Sequence, residues 1–298
     1  MMAVSAISVE KEYEKLGNVK PEHIKEIMAW LATQPHLPHQ YITELEVIVA
    51  YHSCACDTQV TKRVIDVNYT LKTMFPFYQS RKMDERMEMA FQTWLILPLK
   101  SLTKKGYKAI YCELLDADPK KFVYGDVVKA FLMVLDLWQY EEGTVPGVAL
   151  IVNCDRVSLS HVSKVNLTVA QQFFYFLQEA MFVCLKEFHF INAPTFIDKL
   201  LVMVRPFMKD ELLDILKVHQ ADASTLDEYI SVRDLLEGDT ESKIALKDEI
   251  CKKLKANEKF FEAESKQRVD ESKRCGGPKT MSSFFPGIED SFKKLEID

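Results

Sequence analysis

Residues 188–208 read FHFINAPTFIDKLLVMVRPFM, and the interpretation of the whole chain turns on them. Phe188 to Ile191 is a short apolar run broken only by His189, the pattern of a buried strand. Asn192-Ala193-Pro194 ends it, and Pro194 suits the first turn of a helix, where an N–H would have no intrahelical partner anyway. Pro206 disfavours helical backbone at Arg205, which brackets the helix to residues 195–205. Phe196, Leu200, Met203, Val204 and Phe207 share one face of it. Ile197, Leu201 and Val202 cover much of the rest, and only Thr195, Asp198, Lys199 and Arg205 are strongly polar. A helix apolar nearly all round is either buried or meets lipid. On pattern alone, a buried helix of an α/β core is the simpler reading.

The surrounding sequence alternates in the same way. A strand is expected at 108–114, and an amphipathic helix at 126–140 carries Val127, Phe131, Val134 and Trp138 on one stripe with Ala130 beside it. GVALIVNC, 147–154, is a β-branched run that fits a strand buried on both faces. A long helix at 165–186 turns Val169, Phe173, Phe176, Leu177, Met181 and Leu185 inward. Another strand follows at 216–219 and another helix at 225–236. This βαβ alternation predicts an α/β fold with a mostly parallel sheet flanked by helices. Residues 1–75 predict a small helical bundle instead. One helix starts at Pro21 (Ile24, Ile27, Met28, Leu31), a second spans 40–53, and a third follows Asp57. Residues 81–102 connect the two parts. Beyond Gly238, residues 241–275 have the mixed Lys/Glu composition of a solvated helix, and the remainder to Asp298 looks extended. Phe284, Phe285 and Phe292 are candidate anchors that dock this tail on the body. The expected division is 1–80, a helical domain; 81–240, the α/β domain; and 241–298, a C-terminal helix and tail.

Composition narrows the function. The chain has nine glycines and no G-x-G-x-x-G, G-x-x-x-x-G-K-[ST] or G-x-S-x-G, so the usual nucleotide and hydrolase chemistries are not expected. A net charge of −6 argues against non-specific nucleic-acid binding. The seven cysteines form no regular framework. No signal-peptide pattern opens the chain, and no stretch reaches the roughly 18 apolar residues of a membrane span, so a cytoplasmic protein with reduced thiols is expected. His36-x-x-His39 and Cys54-Ala55-Cys56 lack partners at metal-site spacing and read as loop and packing residues. His189 and Asn192 are expected to close a turn, and Asp155 to cap a helix. No catalytic or metal constellation stands out, and no cofactor is implied. The concentration of Phe173, Phe174, Phe176, Phe182, Phe188, Phe190, Phe196 and Phe207 is unusual, and Val148, Leu150 and Val152 share one strand face. Such a region is either solid core or the lining of a cavity for an apolar ligand.

The stretch HFINAPTFIDKLLVMVRPFMKDELLDILKVH, 189–219, resembles the signature of the CRAL-TRIO lipid-binding family, near its tocopherol-transfer and retinaldehyde-binding members. PGVALIVNCDRVSLSHV, 146–162, resembles the family strand and following turn, and CDTQVTKRVIDVNYTLKTMFP, 56–76, its N-terminal helical domain. FFPGIEDSFKKLEID, 284–298, resembles the tail of many animal members. The resemblance implies a hydrophobic ligand held between a sheet floor and a gate helix at 195–205. Carried over by position, the pocket would be lined by Val127, Ala130, Phe131, Val134, Val148, Val152, Val165, Phe173, Phe176, Leu177, Met181, Val183 and Phe188. Phe196, Leu200, Val204 and Phe207 would close it, and Ile197 and Leu201 would face a bilayer on opening. Asn153, Gln172 and Tyr175 are candidates to orient a ligand head group.

The departures are specific. The basic pair that holds a phosphoinositide in tocopherol-transfer relatives is replaced by Ala50-Tyr51-His52-Ser53-Cys54, and two later basic positions by Glu211 and Ile215. Lys186, Lys209 and Lys217 are the lysines left for such a head group, whose site the resemblance implies is altered or absent. The family's domain ending is also changed, to Asp234-Leu235-Leu236-Glu237-Gly238. The expected function is binding and transfer of a small hydrophobic ligand of tocopherol, retinoid, carotenoid or other lipid type, with transient contact to membranes that include phosphoinositide-containing ones. The alternative is a lipid-stabilised module that binds proteins through 241–298. An enzyme is not expected.

Overall fold

The computed structural model describes residues 3–15, 17–221, 224–230 and 240–286. It opens with four helices, α1 (Val9–Lys15), α2 (Pro21–Ala32), α3 (Glu44–Ser53) and α4 (Thr58–Met74). Their starts are written in the sequence. Pro21 occupies the first turn of α2, and Thr43 and Glu46 form a reciprocal capping box on α3. Asp57 caps α4 by accepting from the Gln59 and Val60 amides at 2.8 and 2.9 Å. Ile24, Ile27, Leu31, Val47, Ile48, Ile65 and Tyr69 pack into a core of their own, joined by Phe182 and Val269 from elsewhere in the chain. The charged stretch that follows contains one more helix, α5 (Glu85–Thr93), capped by Asp84.

Five strands form one sheet in sequential order: β1 (Trp94–Leu102), β2 (Lys108–Leu114), β3 (Val148–Asn153), β4 (Leu185–Ala193) and β5 (Leu216–Gln220). β1 pairs antiparallel with β2, and the other neighbours are parallel. This is the expected α/β architecture with one addition, since β1 lies in the segment read as a connector. Pro98 in its middle hides the strand signal. Proline cannot donate to a ladder, but β1 is an edge strand and its register shifts between Pro98 and Leu102.

The crossovers are α6 (Tyr124–Glu142) between β2 and β3, α7 (Leu159–Val162) with α8 (Leu167–Glu179) between β3 and β4, and α9 (Ile197–Val204) with α10 (Asp210–Ile215) before β5. The order β2-β3-β4-β5 advances in one direction. Right-handed crossovers therefore place every one of these helices on the same face of the sheet. The other face carries Leu95, Leu99, Ala109, Tyr111, Ala149, Ile151 and Ile191, covered by Leu226, Ile230 and Leu246. α8 stops at Glu179, short of the expected Lys186. The amides of Ala180 and Met181 both turn back to the Phe176 carbonyl, and Leu185 already opens β4. An unbroken apolar run hid the boundary, because a buried helix end and a buried strand start look alike by composition. The helix expected at 225–236 is a short 3₁₀ turn at Ser224–Glu228, and its remainder from residue 231 lies outside the described residues.

The C-terminal part is more closely packed than a solvated helix. α11 (Thr240–Ala256) and α12 (Glu258–Glu264) lead into a segment that crosses the N-terminal bundle, ending in the short helix α13 (Met281–Phe284). The Val269 amide donates to Thr73 Oγ1 at 2.8 Å, and Arg268 to the Tyr78 carbonyl at 2.8 Å. Arg274 grips Asp66 with one nitrogen at 2.8 and 2.9 Å from its two oxygens, and Lys279 adds a contact at 2.9 Å. Phe285 is buried against Phe75 and Tyr175, so this anchor docks; Phe292 lies outside the described residues.

Arg81 joins the three parts. Its guanidinium pairs with Asp136 of α6 at 2.8 Å and Glu264 of α12 at 3.4 Å, and stacks on Tyr78 and Phe261. Arg81→Ala would leave partly buried Asp136 without its counter-charge and buried Glu264 with Arg268 alone, at a cost of about 3 kcal/mol. The expected outcome is a lower urea midpoint with an unchanged slope. Asp66 gives a pH signature. Burial opposes its ionisation, but hydrogen bonds and charge from Lys279 and Arg274 outweigh this and hold its carboxyl below the ordinary value of 3.8. Its contribution is therefore present above that value and lost as pH falls through the lowered folded one. Hydrogen-exchange protection across 266–280, taken relative to the intrinsic rate at each pH, should fall on acidification through that window, and Asp66→Asn should show low protection already at neutral pH.

Candidate functional site

Because side chains alternate along a strand, the face beneath the crossover helices is set by the pairing register. Ile96, Cys112, Val152 and Phe190 lie opposite one another across β1 to β4 and form one rung of the floor. Leu150 and Phe188, paired across β3 and β4, form part of the next. Above them stand Val127, Val128 and Phe131 of α6, Phe173 and Phe174 of α8, and Leu200 and Val204 of α9. Between floor and roof is a cavity of about 180 Å³, closed at one end by Trp94, Phe122, Tyr124, Val157, His161, Val162 and Val165. Among the described residues no Asp, Glu, Lys, Arg, Asn or Gln lines it. Three larger hollows, of about 390, 580 and 410 Å³, have charged side chains in their walls.

Of the residues proposed from sequence, Val127, Phe131, Val152, Val165, Phe173, Phe188, Leu200 and Val204 are brought together around this cavity. The others sit elsewhere. Ala130 is fully buried without lining it, and Val148 lies at the start of β3. Val134 faces Pro98 and α11. Phe176 stacks with Phe75, Phe77 and Tyr78 toward the N-terminal bundle. Leu177, Met181 and Val183 line a surface groove beside Arg63 and Lys209. Phe196 is the half-buried N-cap of α9, and Phe207 belongs to the 3₁₀ turn Arg205–Phe207. The phase of α9, the helix expected to act as a gate, differs accordingly. It begins at Ile197, so Ile197, Leu200 and Val204 turn toward the core, while Val202 is 72% exposed. Ile197, expected outward, is buried.

The polar candidates do not face the cavity; on the strands, at Asn153 and His189, the reason is parity. Asn153 alternates with Val152 and points to the opposite face, where it meets Tyr111 and Asn192. Tyr175 packs on Phe284 and Phe285, and Gln172 is buried away from the cavity. His189 likewise faces away and bonds His219 across 3.0 Å rather than closing a turn. Burial, with His219 and two lysines nearby, pushes it down to about 4. Ser158 with His161, not Asp155, caps the helix after β3. The three lysines do not converge. Lys209 is bound to Glu179, Lys217 to the Asp214 carbonyl, and Lys186 projects from the start of β4. Among the described residues no group of three or more His, Cys, Asp or Glu is placed to hold a metal ion, and no helix is long and apolar enough to cross a membrane.

Leu150, Phe174 and Phe190 carried a sequence signal as members of the apolar face and the phenylalanine cluster. Trp94 and Ile96 did not, because they belong to the unrecognised β1. His161 had no signal at all, since its place in the wall follows from the turn that caps α7. Burial pushes the thiols of Cys112 and Cys154, both in the cavity wall, up to about 12. Both should resist iodoacetamide at pH 8 in the folded protein, whereas exposed Cys275 should be alkylated, as read by peptide mass spectrometry.

Residues 95–238 match the family model of the CRAL/TRIO domain. The chain is similar to human alpha-tocopherol transfer protein-like, with 25% identity over 109 residues, 36% of this chain and 32% of that protein. It is also similar to human clavesin-2, with 22% identity over 163 residues, 54% of this chain and 50% of that protein. The matched stretches thus span a third to a half of these relatives. A solved structure titled "Crystal structure of Sfh5" aligns over 74% of this chain and 83% of its own, with 11% identity and a TM-score of 0.37.

Proposed function

Since the chain belongs to the CRAL/TRIO family through residues 95–238, we propose that it binds a small hydrophobic ligand in the cavity above the sheet and carries it between membranes. The single observation that carries this reading is the wall itself: a hollow inside the family domain, lined by hydrocarbon and without a charged side chain. Leaving water for such a wall is favourable by roughly 25 cal/mol per Å² of apolar ligand surface. The names of the relatives, one of them a tocopherol-transfer-like protein, agree with it.

Size supports a moving gate. A cavity of about 150 Å³ accommodates a benzene molecule, and ligand sites commonly run to about 300–1,000 Å³. At about 180 Å³, the hollow must widen for any lipid larger than one ring with a short substituent. α9 is the wall element suited to yield. It contributes only Leu200 and Val204, has an exposed outer face, and is followed at once by Pro206. Exposed Val123, Leu159, Leu167 and Val202 each lie within three residues of a lining residue, an apolar rim that suits transient contact with a bilayer. The dispersal of Lys186, Lys209 and Lys217 favours membrane contact without a dedicated phosphoinositide site. The alternative role for the C-terminal region, protein recruitment, fits less well, because residues 266–285 are engaged with the chain's own helices.

The test is native mass spectrometry with solvent extraction of protein purified from its own cells. One stoichiometric apolar ligand supports the carrier, whereas a protein carrying none, or only traces of bulk phospholipid, counts against it. Leu200→Asp, which puts a carboxylate into the apolar wall, should abolish ligand retention in a protein that still unfolds cooperatively. Val202→Asp, on the exposed face, should keep retention and slow transfer between vesicles several-fold.

A further inference from the structure

A second hollow, of about 390 Å³, lies where the N-terminal bundle, α6 and α12 meet, and it shares no lining residue with the cavity above the sheet. Leu45 and Val49 of α3, with Phe182, are buried parts of its wall. Tyr140 of α6 and Phe260 of α12 add two rings whose centroids are 4.9 Å apart. In size it falls among small-molecule sites, which commonly run to about 300–1,000 Å³ and combine apolar walls with a few polar groups.

The charged groups in this wall are not equivalent. Its carboxylates, Glu46, Asp136 and Glu264, already have partners. Glu46 accepts from the Thr43 amide and hydroxyl, both at 2.8 Å, and from Gln267 Nε2 at 2.8 Å. Asp136 and Glu264 pair with Arg81, and Glu264 also with Arg268 at 2.9 Å. Lys72 is different. It is 7% exposed, and among the described residues its ammonium makes neither a hydrogen bond nor a salt bridge. Three rings surround it instead, with the centroids of Tyr69, Tyr78 and Phe182 at 5.4, 5.3 and 5.9 Å from Nζ. Ring faces attract the cation and hold it in place, but they leave its N–H donors without an acceptor. Nζ is not sealed as the Arg81 guanidinium is; it keeps accessible surface, and the space that Lys72 lines is the hollow. Lysine is almost never buried this far unless it is paired.

We propose that this hollow is a second ligand site and that its ligand is an amphipathic anion of single charge. Such a ligand is a carboxylate on an aromatic or aliphatic body, with the carboxylate on Lys72 Nζ and the body against Leu45, Val49, Tyr140 and Phe260. The charge follows from the wall: one uncommitted buried cation balances one negative charge. A phosphate monoester, with up to about two charges, would meet Glu46, Asp136 and Glu264 at close quarters. A neutral molecule would leave the ammonium unpaired, and a cation would be repelled by it. Exposed Lys259 of α12 adds positive charge to the same wall, where it attracts an approaching anion. No residue of α9 or of the sheet lines this hollow, so the inference is independent of the carrier reading.

The test uses 4-phenylbutyrate and its neutral amide, 4-phenylbutyramide, which share a shape and differ in charge, each titrated calorimetrically into the full chain. The wild-type protein should bind the carboxylate about tenfold or more tighter than the amide, as a charge-assisted hydrogen bond requires. Lys72→Met, which keeps an unbranched side chain and removes the ammonium, should abolish that preference. Ala263→Trp, a ring added at an exposed position of the wall, should weaken both probes alike. With the carboxylate bound, hydrogen-exchange protection should rise at 41–49 and 256–264 and not at 150–165. Where Lys72→Met does not fold, the wild-type ratio, Ala263→Trp and the exchange map decide the matter. Equal binding of the two probes to the wild type, a preference that survives in folded Lys72→Met, or protection gained around the sheet cavity instead overturns the assignment. Failure of both probes to bind overturns the site itself, and the carrier reading stands in every case.

Discussion

The handedness of the βαβ crossover is the constraint on which this molecule depends. With strands β2 to β5 laid down in sequential order, a fixed hand sends α6, α8 and α9 to one face, and three apolar helices must then share a floor only four residues wide per rung. In a doubly wound sheet the order reverses and helices cover both faces, which gives two ordinary cores. Here, among the described residues, one face is covered by a turn and one helix, while the other collects most of the buried aromatic side chains. Helices of unequal length over a twisted sheet do not fill that space evenly. The cavity is what remains between them, and its hydrocarbon lining follows from the same burial that folds the domain.

How much of this was legible depends on the scale at which the pattern operates. The parallel strands are runs of β-branched and aromatic residues, and the helix starts carry Pro21, Thr43, Asp57 and Asp84 where a cap is needed, so these elements are local in origin. β1 was hidden because Pro98 is acceptable only at an edge, and edge position is a property of the assembled sheet. The pocket residues divide along the same line. Val152, Phe173 and Phe188 follow from periodicity and the family signature together. Val134 and Phe176 carry the same periodic signal, but their stripe is wider than the cavity and packs on α11 and on Phe75 instead. Parity decides the polar residues: Asn153 and Val152 are adjacent, and one residue of register separates a head-group contact from a bond on the far side of the sheet.

The parts of the wall are held with unequal strength, and this would give the proposed gate its physical basis. α6 is tied to the N-terminal bundle and to α12 through Asp136 and Arg81, and to the end of α8 through Gln139, which donates to the Phe182 carbonyl at 2.6 Å. The turn after α8 is held by Asn68 of α4, which donates to the Ala180 carbonyl at 2.8 Å. Such long-range polar ties, buried or partly buried, fix α6 and α8 relative to the floor.

Among the described residues α9 has no tie of that kind within its own length; its fastenings are at its ends. At the entry, Asn192 takes a left-handed backbone conformation, φ 49°, tolerable for asparagine, and its side chain donates to Asn153 Oδ1 at 3.0 Å. At the exit, Gln178 donates to the Phe207 carbonyl at 2.9 Å and accepts from the Lys209 amide at 2.7 Å. An eight-residue helix fixed at both ends and held along its middle mainly by apolar contact can swing without breaking a hydrogen bond of the scaffold. In the proposed carrier, the free energy of opening would be set chiefly by the apolar area that Ile197, Leu200 and Val204 lose, and a bilayer that receives that area would lower it. Coupling of that opening to a membrane surface would then require no charged switch, which accords with lysines that are scattered and, at Lys209, already paired with Glu179.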